Sequence, residues 1–513
     1  MSQESRVRKS LLNARVNLIF YFLTLALSFF SRKIFLDTLG ADFVGLTSTL
    51  QNLLGFLNLA ELGISTAIGY VLYKPLFEQN KLKINEIISV FGYLYHWIGK
   101  IMLLAGGILA CFLSLIFSNT GFDLTLIFFV YFSFLISTLI GYFINYKQTL
   151  LGADQKNYVV TAYFQTVTII KTLIQIVLAY YTKNYYLWVV IELLFGFVYS
   201  IILNWKIRKV YPWLHSEVRQ GKYLLKRYPE VIKYTKQLFV HKIGGIVQYQ
   251  TTPVLIYSFI SLKMVAYYGN YSIIIDKVTA MINSLFTGME AGIGNLIAEG
   301  NPTKIQKVFW EINALRYYIA GFTVYAIYQL INPFIRVWLG NEYILSNVVI
   351  IIILANTYMR ISNGYNASFL FGYGLFNDTW APLTEAAINI ITAIIAGTIW
   401  GLPGVLLGNF FSFLLIVCVW KPYFLYSKGF KMPSYSYWLN ILIYLLIFII
   451  ACIISSFITS LVPITKSIYN YWALIQYAVV CILIYSVIFT LLMSIWGRGF
   501  KSLIVRFLSK KSA

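Results

Sequence analysis

The sequence predicts an all-α polytopic membrane protein. The expected architecture is about 14 transmembrane helices: two six-helix lobes forming a pseudo-repeat, plus two C-terminal helices, around a central cavity. Three observations predict it. Hydrophobic residues make up 59% of the 513 and charged residues only 11%, whereas a soluble chain carries about a quarter charged residues. Apolar runs near or above about 18 residues recur along the whole chain, each long enough to cross hydrocarbon as a helix. The runs are continuous rather than alternating, which excludes a β-barrel. Finally, the basic residues are concentrated in every second joint between runs.

The spans follow in order, with centres near residues 24, 58, 106, 134, 168, 193, 250, 282, 322, 354, 390, 414, 448 and 482. Residues 1–10 are polar and basic, and no small-residue cleavage site follows the first apolar run. That run therefore reads as a retained helix, not a signal peptide. It ends at the charged corner Arg32-Lys33, and the next span starts at once, carries Glu61 midway and stops at Lys74-Pro75. The remaining spans repeat this hairpin plan.

The joints set the orientation. With the N-terminus cytoplasmic, the cytoplasmic segments hold 28 of the 40 Lys and Arg, the outer joints hold 6, and 6 lie inside spans. Such a bias is the positive-inside pattern, and it places both termini in the cytoplasm. The net charge of +22 then faces the anionic inner leaflet rather than a nucleic acid.

The largest joint, 204–236, divides the chain into an N-lobe of six spans (1–203) and a C-lobe of six (237–427), followed by two spans and a basic tail (428–513). The joint contains Trp205-Lys206-Ile207-Arg208-Lys209 and Lys226-Arg227-Tyr228-Pro229. It reads as an amphipathic linker lying on the membrane surface, with a protein-docking site as the alternative. A faint repeat supports the division: Gly45 with Glu61-Leu62-Gly63 in the first half, Gly269 with Glu290-Ala291-Gly292 in the second.

Several chemistries are disfavoured. Cys111, Cys418, Cys452 and Cys481 sit inside apolar runs without metal-ligand spacing, so neither a disulfide nor a zinc site is expected. No Walker A sequence is present. The outer joints are too short for a catalytic module, and His96, His215 and His241 are scattered. The chain reads as a non-enzyme with no metal and no bound cofactor.

Ionisable groups at membrane depth carry the functional signal, because each costs roughly 2.5–3.5 kcal/mol to insert and so faces a cavity or a partner. The basic set is Lys100, Lys171, Lys242, Lys277, Arg316 and Arg360, and the acidic set is Glu61, Glu192, Asp276, Glu290 and Glu385. Arg360 shares a helical face with Asn356 and Asn363, at i, i+4 and i+7. Two roles fit it: an anion ligand lining a cavity, or an arginine snorkelling to the interface. Snorkelling carries more weight for Arg316, which is placed nearer the cytoplasmic end of its span. Arg32 and Lys33 either pair with Asp37 and Asp42 or form an outer station for an anion. Arg15 lies at the other end of the same span, and Lys242 is either interfacial or the second lobe's contribution. Glu61 and its counterpart Glu290 fit either pairing or coupling to an ion. Tyr365, Tyr373, Trp380, Tyr435, Tyr437 and Trp438 read as interfacial belts.

Ser31-Arg32-Lys33-Ile34-Phe35-Leu36-Asp37-Thr38-Leu39-Gly40 with Gly45 resembles the first corner of polysaccharide flippases in the multidrug/oligosaccharidyl-lipid/polysaccharide exporter superfamily. Asn58-Leu59-Ala60-Glu61-Leu62-Gly63-Ile64-Ser65-Thr66-Ala67 resembles their second helix, and Gly292-Ile293-Gly294-Asn295-Leu296-Ile297-Ala298-Glu299-Gly300 the end of their eighth. The combination is similar to the O-antigen or capsule repeat-unit branch. The resemblance implies a flippase of the bacterial plasma membrane. It would carry undecaprenyl-pyrophosphate-linked oligosaccharide repeat units from the inner to the outer leaflet by alternating access, for surface polysaccharide biosynthesis. The expected partners are that lipid-linked oligosaccharide, membrane lipid and the polysaccharide polymerase machinery. Arg360, Arg32, Lys33, Lys242, Arg316 and Arg15 are then the candidates for binding pyrophosphate. Glu61 and Glu290 are the cavity acids, and a proton gradient, a sodium gradient or the membrane potential is the driving force. A multidrug or cation antiporter of the same superfamily and a membrane glycosyltransferase or polymerase are the rival readings.

Overall fold

The computed structural model describes residues 6–509 apart from 62, 155, 288–292, 295, 298, 376–377 and 463–469; among the side chains outside the description are those of 240–249. The described residues are helical almost throughout, with no strand among them. Among the described residues, eleven helices are long and apolar enough to cross a membrane. The chain is a multi-pass, all-helical membrane protein.

The expected centres fall on these helices or at their ends. Arg6–Leu57 is a single rod broken at Gly40 (φ 83°, ψ 158°). That backbone conformation suits glycine, since a Cβ there meets its own carbonyls. The centres near 24 and 58 lie on either side of this break. Those near 250 and 282 fall on Pro229–Phe259 and Leu262–Thr287, which are not among the eleven. Lys242, Gln248 and Gln250 in one, and Asn270, Asp276, Lys277 and Asn283 in the other, dilute their apolar windows.

By packing, the chain forms two compact units, Met1–Ala266 and Tyr267–Ala513. The sequence groups residues from 237 onward with the second half, but the helix that carries 237–259, Pro229–Phe259, packs against Arg6–Leu57 and Ile64–Phe77 of the first unit.

In the first unit the 204–236 joint is not a free surface strap. It is docked on the start of Lys81–Ile116. Asn85 accepts from the His215 amide at 3.0 Å and Ser89 Oγ from the Glu217 amide at 2.9 Å. Arg227 and Tyr228 both reach the Glu86 carboxylate, at 3.1 and 2.7 Å. A Cβ on Gly221 would stand 2.4 Å from the Ser89 carbonyl, so the close approach requires glycine. The backbone amides that a surface strap would leave to water are used here to hold the joint in place.

In the second unit Pro302–Trp338 packs with Asn347–Gly372, Trp380–Trp400 with the Leu402–Phe430 rod, and Tyr435–Ser460 with Tyr471–Trp496. Its interior is rich in tyrosine: Tyr325, Tyr365, Tyr426, Tyr437, Tyr444 and Tyr485 are all fully buried. Tyr365 and Tyr437, expected as belt residues, are instead core residues whose hydroxyls lie 3.4 Å apart. Trp380 and Tyr435 do stay exposed. All four cysteines are free thiols. Large apolar side chains such as Leu18, Leu115, Ile453 and Leu491 are exposed, as expected of surfaces that meet lipid.

Candidate functional site

The second unit brings two of the predicted arginines onto one helix. Asp276, Thr279, Asn283 and Phe286 recur at i, i+3, i+7 and i+10 along Leu262–Thr287, a single helical stripe. Arg360 Nη2 donates to Asp276 Oδ1 at 3.1 Å and to Thr279 Oγ1 at 3.3 Å. Arg316 Nη1 donates to Asn283 Oδ1 at 3.3 Å and to the Ile361 carbonyl at 3.4 Å. Its guanidinium carbon lies 3.6 Å from the centre of the Phe286 ring.

The two arginines differ in exposure. Arg360 is partly open, at 24% side-chain exposure, and Asp276 is half exposed. Arg316 is buried at 6%. The snorkelling expected of Arg316 is thus corrected. Its helix begins at Pro302, so Arg316 stands roughly 21 Å along it, too deep to reach an end. Gly364 leaves room for it: a Cβ there would be 3.2 Å from Arg316 Nη1. Asn356, Arg360 and Asn363 do lie on one face of the Asn347–Gly372 helix, and the two asparagines bond to other groups. Asn356 bonds the Leu406 carbonyl, and Asn363 bonds Met359 O and Cys418 Sγ.

The first unit surrounds Glu61 with phenols. The chain unwinds into a 3₁₀ turn at Asn58–Glu61, and Gly63 follows at φ 87°. Tyr95 donates a hydrogen bond to Glu61 Oε1. Tyr142 Oη lies 3.0 Å from both Glu61 Oε2 and Asn58 Oδ1. Two O–H donors on one carboxylate are charge-assisted hydrogen bonds of the stronger kind. Sequence spacing did not announce these partners, which lie 34 and 81 residues downstream.

The other candidates are dispersed. Arg32 Nη2 donates to the Ala266 carbonyl at 2.8 Å, while Lys33 pairs with Asp37 at 3.5 Å, both half exposed. Asp42 joins neither and makes no hydrogen bond or ion pair among the described residues. Arg15 is exposed. The Lys242 side chain and Glu290 lie outside the described residues. Lys171 and Glu192, both expected at membrane depth, pair at 2.6 Å with each side chain about four-fifths buried, and Gln175 donates to the second Glu192 oxygen at 3.0 Å. Among the described residues no three His, Cys, Asp or Glu side chains gather to hold a metal ion.

Outside the spans, a polar cluster braces the linker-bearing end. Tyr211 donates to Asp154 at 2.7 Å, and Lys156 pairs with the same carboxylate at 2.7 Å. Burial, then the Asp154 charge, raises the Tyr211 pKa. Burial, then the bond to Glu86, does the same for Tyr228. Lys147 is pushed down by burial and by Arg208.

With this geometry in hand, the whole fold finds counterparts. The chain superposes on the lipid II flippase MurJ in an inward closed conformation, with a TM-score of 0.64 and 15% identity over 95% of this chain and 99% of that one. It has the MurJ fold. It also matches an inward-facing multidrug resistance MATE family transporter of the MOP superfamily, at a TM-score of 0.56 and 14% identity, covering 82% of this chain and 99% of the other. No protein-family model and no curated protein sequence matches. The MurJ-like fold is thus a likeness of structure with little sequence identity behind it. It agrees with the fold class that the apolar runs predict.

Proposed function

We propose that the chain is a flippase for undecaprenyl-pyrophosphate-linked oligosaccharide repeat units, moving them from the inner to the outer leaflet of the bacterial plasma membrane by alternating access. Both termini are cytoplasmic in this reading, following the 28 to 6 distribution of basic residues. The protein performs no bond-making chemistry and serves surface polysaccharide biosynthesis beside a polymerase.

The observation that carries the reading is the Arg360–Asp276 pair on a MurJ-like fold. A pyrophosphate crosses hydrocarbon only when its charge is matched, and a guanidinium offers bidentate charge-assisted hydrogen bonds. Arg360 is held by a carboxylate that is itself half exposed. An incoming phosphate competes for it without first breaking a sealed ion pair. Buried Arg316 holds the helix stripe beneath. Each net negative charge moved outward gains about 2.3 kcal/mol per 100 mV of membrane potential, less any countercharge returned by the protein. Glu61 is the group to test for coupling to protons or sodium.

The test is the leaflet distribution of lipid-linked repeat units in a deletion strain, with wild type or Arg360→Ala restored. Units trapped on the cytoplasmic face, and not released by Arg360→Ala, support the reading. Units exposed on the outer face but unpolymerised overturn it in favour of a polymerase. The MATE likeness favours a second reading, a cation or drug antiporter. It predicts that the deletion raises accumulation of a cationic dye and leaves the polysaccharide intact.

A further inference from the structure

A cavity of about 620 Å³ opens in the first unit where four chain turns converge: the break at Gly40, the 117–123 turn, the start of Tyr185–Val210, and the 259–262 turn. It lies at the end of the unit opposite the docked linker. Its walls are fixed. A Cβ on Gly45 would stand 1.9 Å from the Leu262 carbonyl, so backbone touches backbone there. Tyr257 Oη donates to the Ile116 carbonyl at 2.7 Å, and its ring stacks on Phe117 with centroids 4.9 Å apart. Tyr185 stacks on Phe43 at 4.5 Å and meets Phe122 edge-on at 5.7 Å.

The lining is polar but carries no cation: neither Lys, Arg nor His contributes to it. Asp42 lines it; Lys33 pairs with Asp37 and Arg32 donates to the Ala266 carbonyl, while Lys183 and Lys263 flank the lining in sequence without belonging to it. Asn119 and Tyr185 also line it, and neither side chain makes a hydrogen bond among the described residues. A lone carboxylate without a cation repels phosphate, so this is not a pyrophosphate station. A carboxylate that accepts, an amide that both donates and accepts, and a phenol, all mounted on rigid aromatic walls, match adjacent hydroxyls on a neutral ring. The volume is in the range of small-molecule sites. We infer that this pocket binds a neutral sugar residue through Asp42, Asn119 and Tyr185. Its placement on the outer face rests on the orientation proposed above; the binding chemistry does not.

The test is photo-crosslinking in cells that make surface polysaccharide, with a photoreactive phenylalanine replacing Phe259, which lines the pocket and is not a proposed ligand, and, as a lipid-facing control, Leu18. The probe is the cell's own glycan, read as periodate-stained carbohydrate on the purified protein. The expected result is a glycan adduct at position 259, absent at 18, and reduced about tenfold by Asp42→Asn, the size of one lost charge-assisted hydrogen bond. Asp42→Asn keeps the side-chain shape, so the protein still reaches the membrane. No adduct at 259 while polysaccharide export continues, or an adduct that Asp42→Asn leaves unchanged, overturns the inference. Normal export in the deletion strain is a different result: it removes the flippase reading, and the adduct still decides whether the pocket holds sugar.

Discussion

Arg316 donates to the carbonyl of Ile361, so its guanidinium sits beside the backbone of the residue that follows Arg360. The two arginines, on different helices, thereby face one stripe of a third. One is sealed by Phe286 and Asn283, the other partly open beside the half-exposed Asp276. On the function proposed above, this contrast makes Arg316 the structural cation and Arg360 the working one.

It predicts two different phenotypes. Arg316→Ala removes two hydrogen bonds and a ring contact from a buried position and costs about 3 kcal/mol. Arg360→Ala removes a partly exposed pair worth about 1 kcal/mol or less. Thermal melting in detergent is expected to show a large drop for Arg316→Ala and a small one for Arg360→Ala. Polysaccharide export is lost in both. Equal melting points for the two variants would contradict the assignment.

Glu61 is expected to behave as one unit with its phenols. Tyr95→Phe removes the hydrogen bond and Glu61→Gln strips the charge from the same bond, so together they shift the melting point by less than the sum of the single shifts. The coupling is expected to be about 1–2 kcal/mol. Strict additivity would mean that the two side chains do not interact.

The Lys171–Glu192 pair gives an asymmetric prediction. Lys171→Met leaves a mostly buried carboxylate with Gln175 as its remaining partner among the described residues, at a cost of roughly 3 kcal/mol. Adding Glu192→Leu removes the stranded charge and recovers most of that loss. Yield and melting point of the membrane-extracted protein read out both steps.

Docking of the linker is open to proteolysis. Gly221→Val forces side-chain atoms into the Ser89 carbonyl, and Glu86→Ala releases Arg227 and Tyr228. Trypsin is expected to cleave at Arg219 and Lys222 faster in either variant than in the wild type. Unchanged cleavage would show that the strap is not held by these contacts.

The sequence by itself determined the class of the molecule. Span length and continuous apolarity are set by the thickness of hydrocarbon, and the sorting of Lys and Arg by the charge of the leaflets, so both are written along the chain without reference to tertiary contacts. The same one-dimensional rule flagged Arg360, Glu61, Lys171 and Glu192 as residues needing partners, because an ionisable group at membrane depth is costly wherever it lies. Which partners they take was decided only by the tertiary structure. Tyr95 and Tyr142 reach Glu61, Asp276 reaches Arg360, and Arg316 is buried rather than snorkelling. Tyr365 and Tyr437 are core residues rather than belts, since a tyrosine suits an interface and a satisfied interior equally well. The 204–236 joint looked like a surface strap because its amphipathic pattern is the same whether the covering partner is lipid or the end of another helix. Helix periodicity records which face a residue occupies, and only packing records what that face meets.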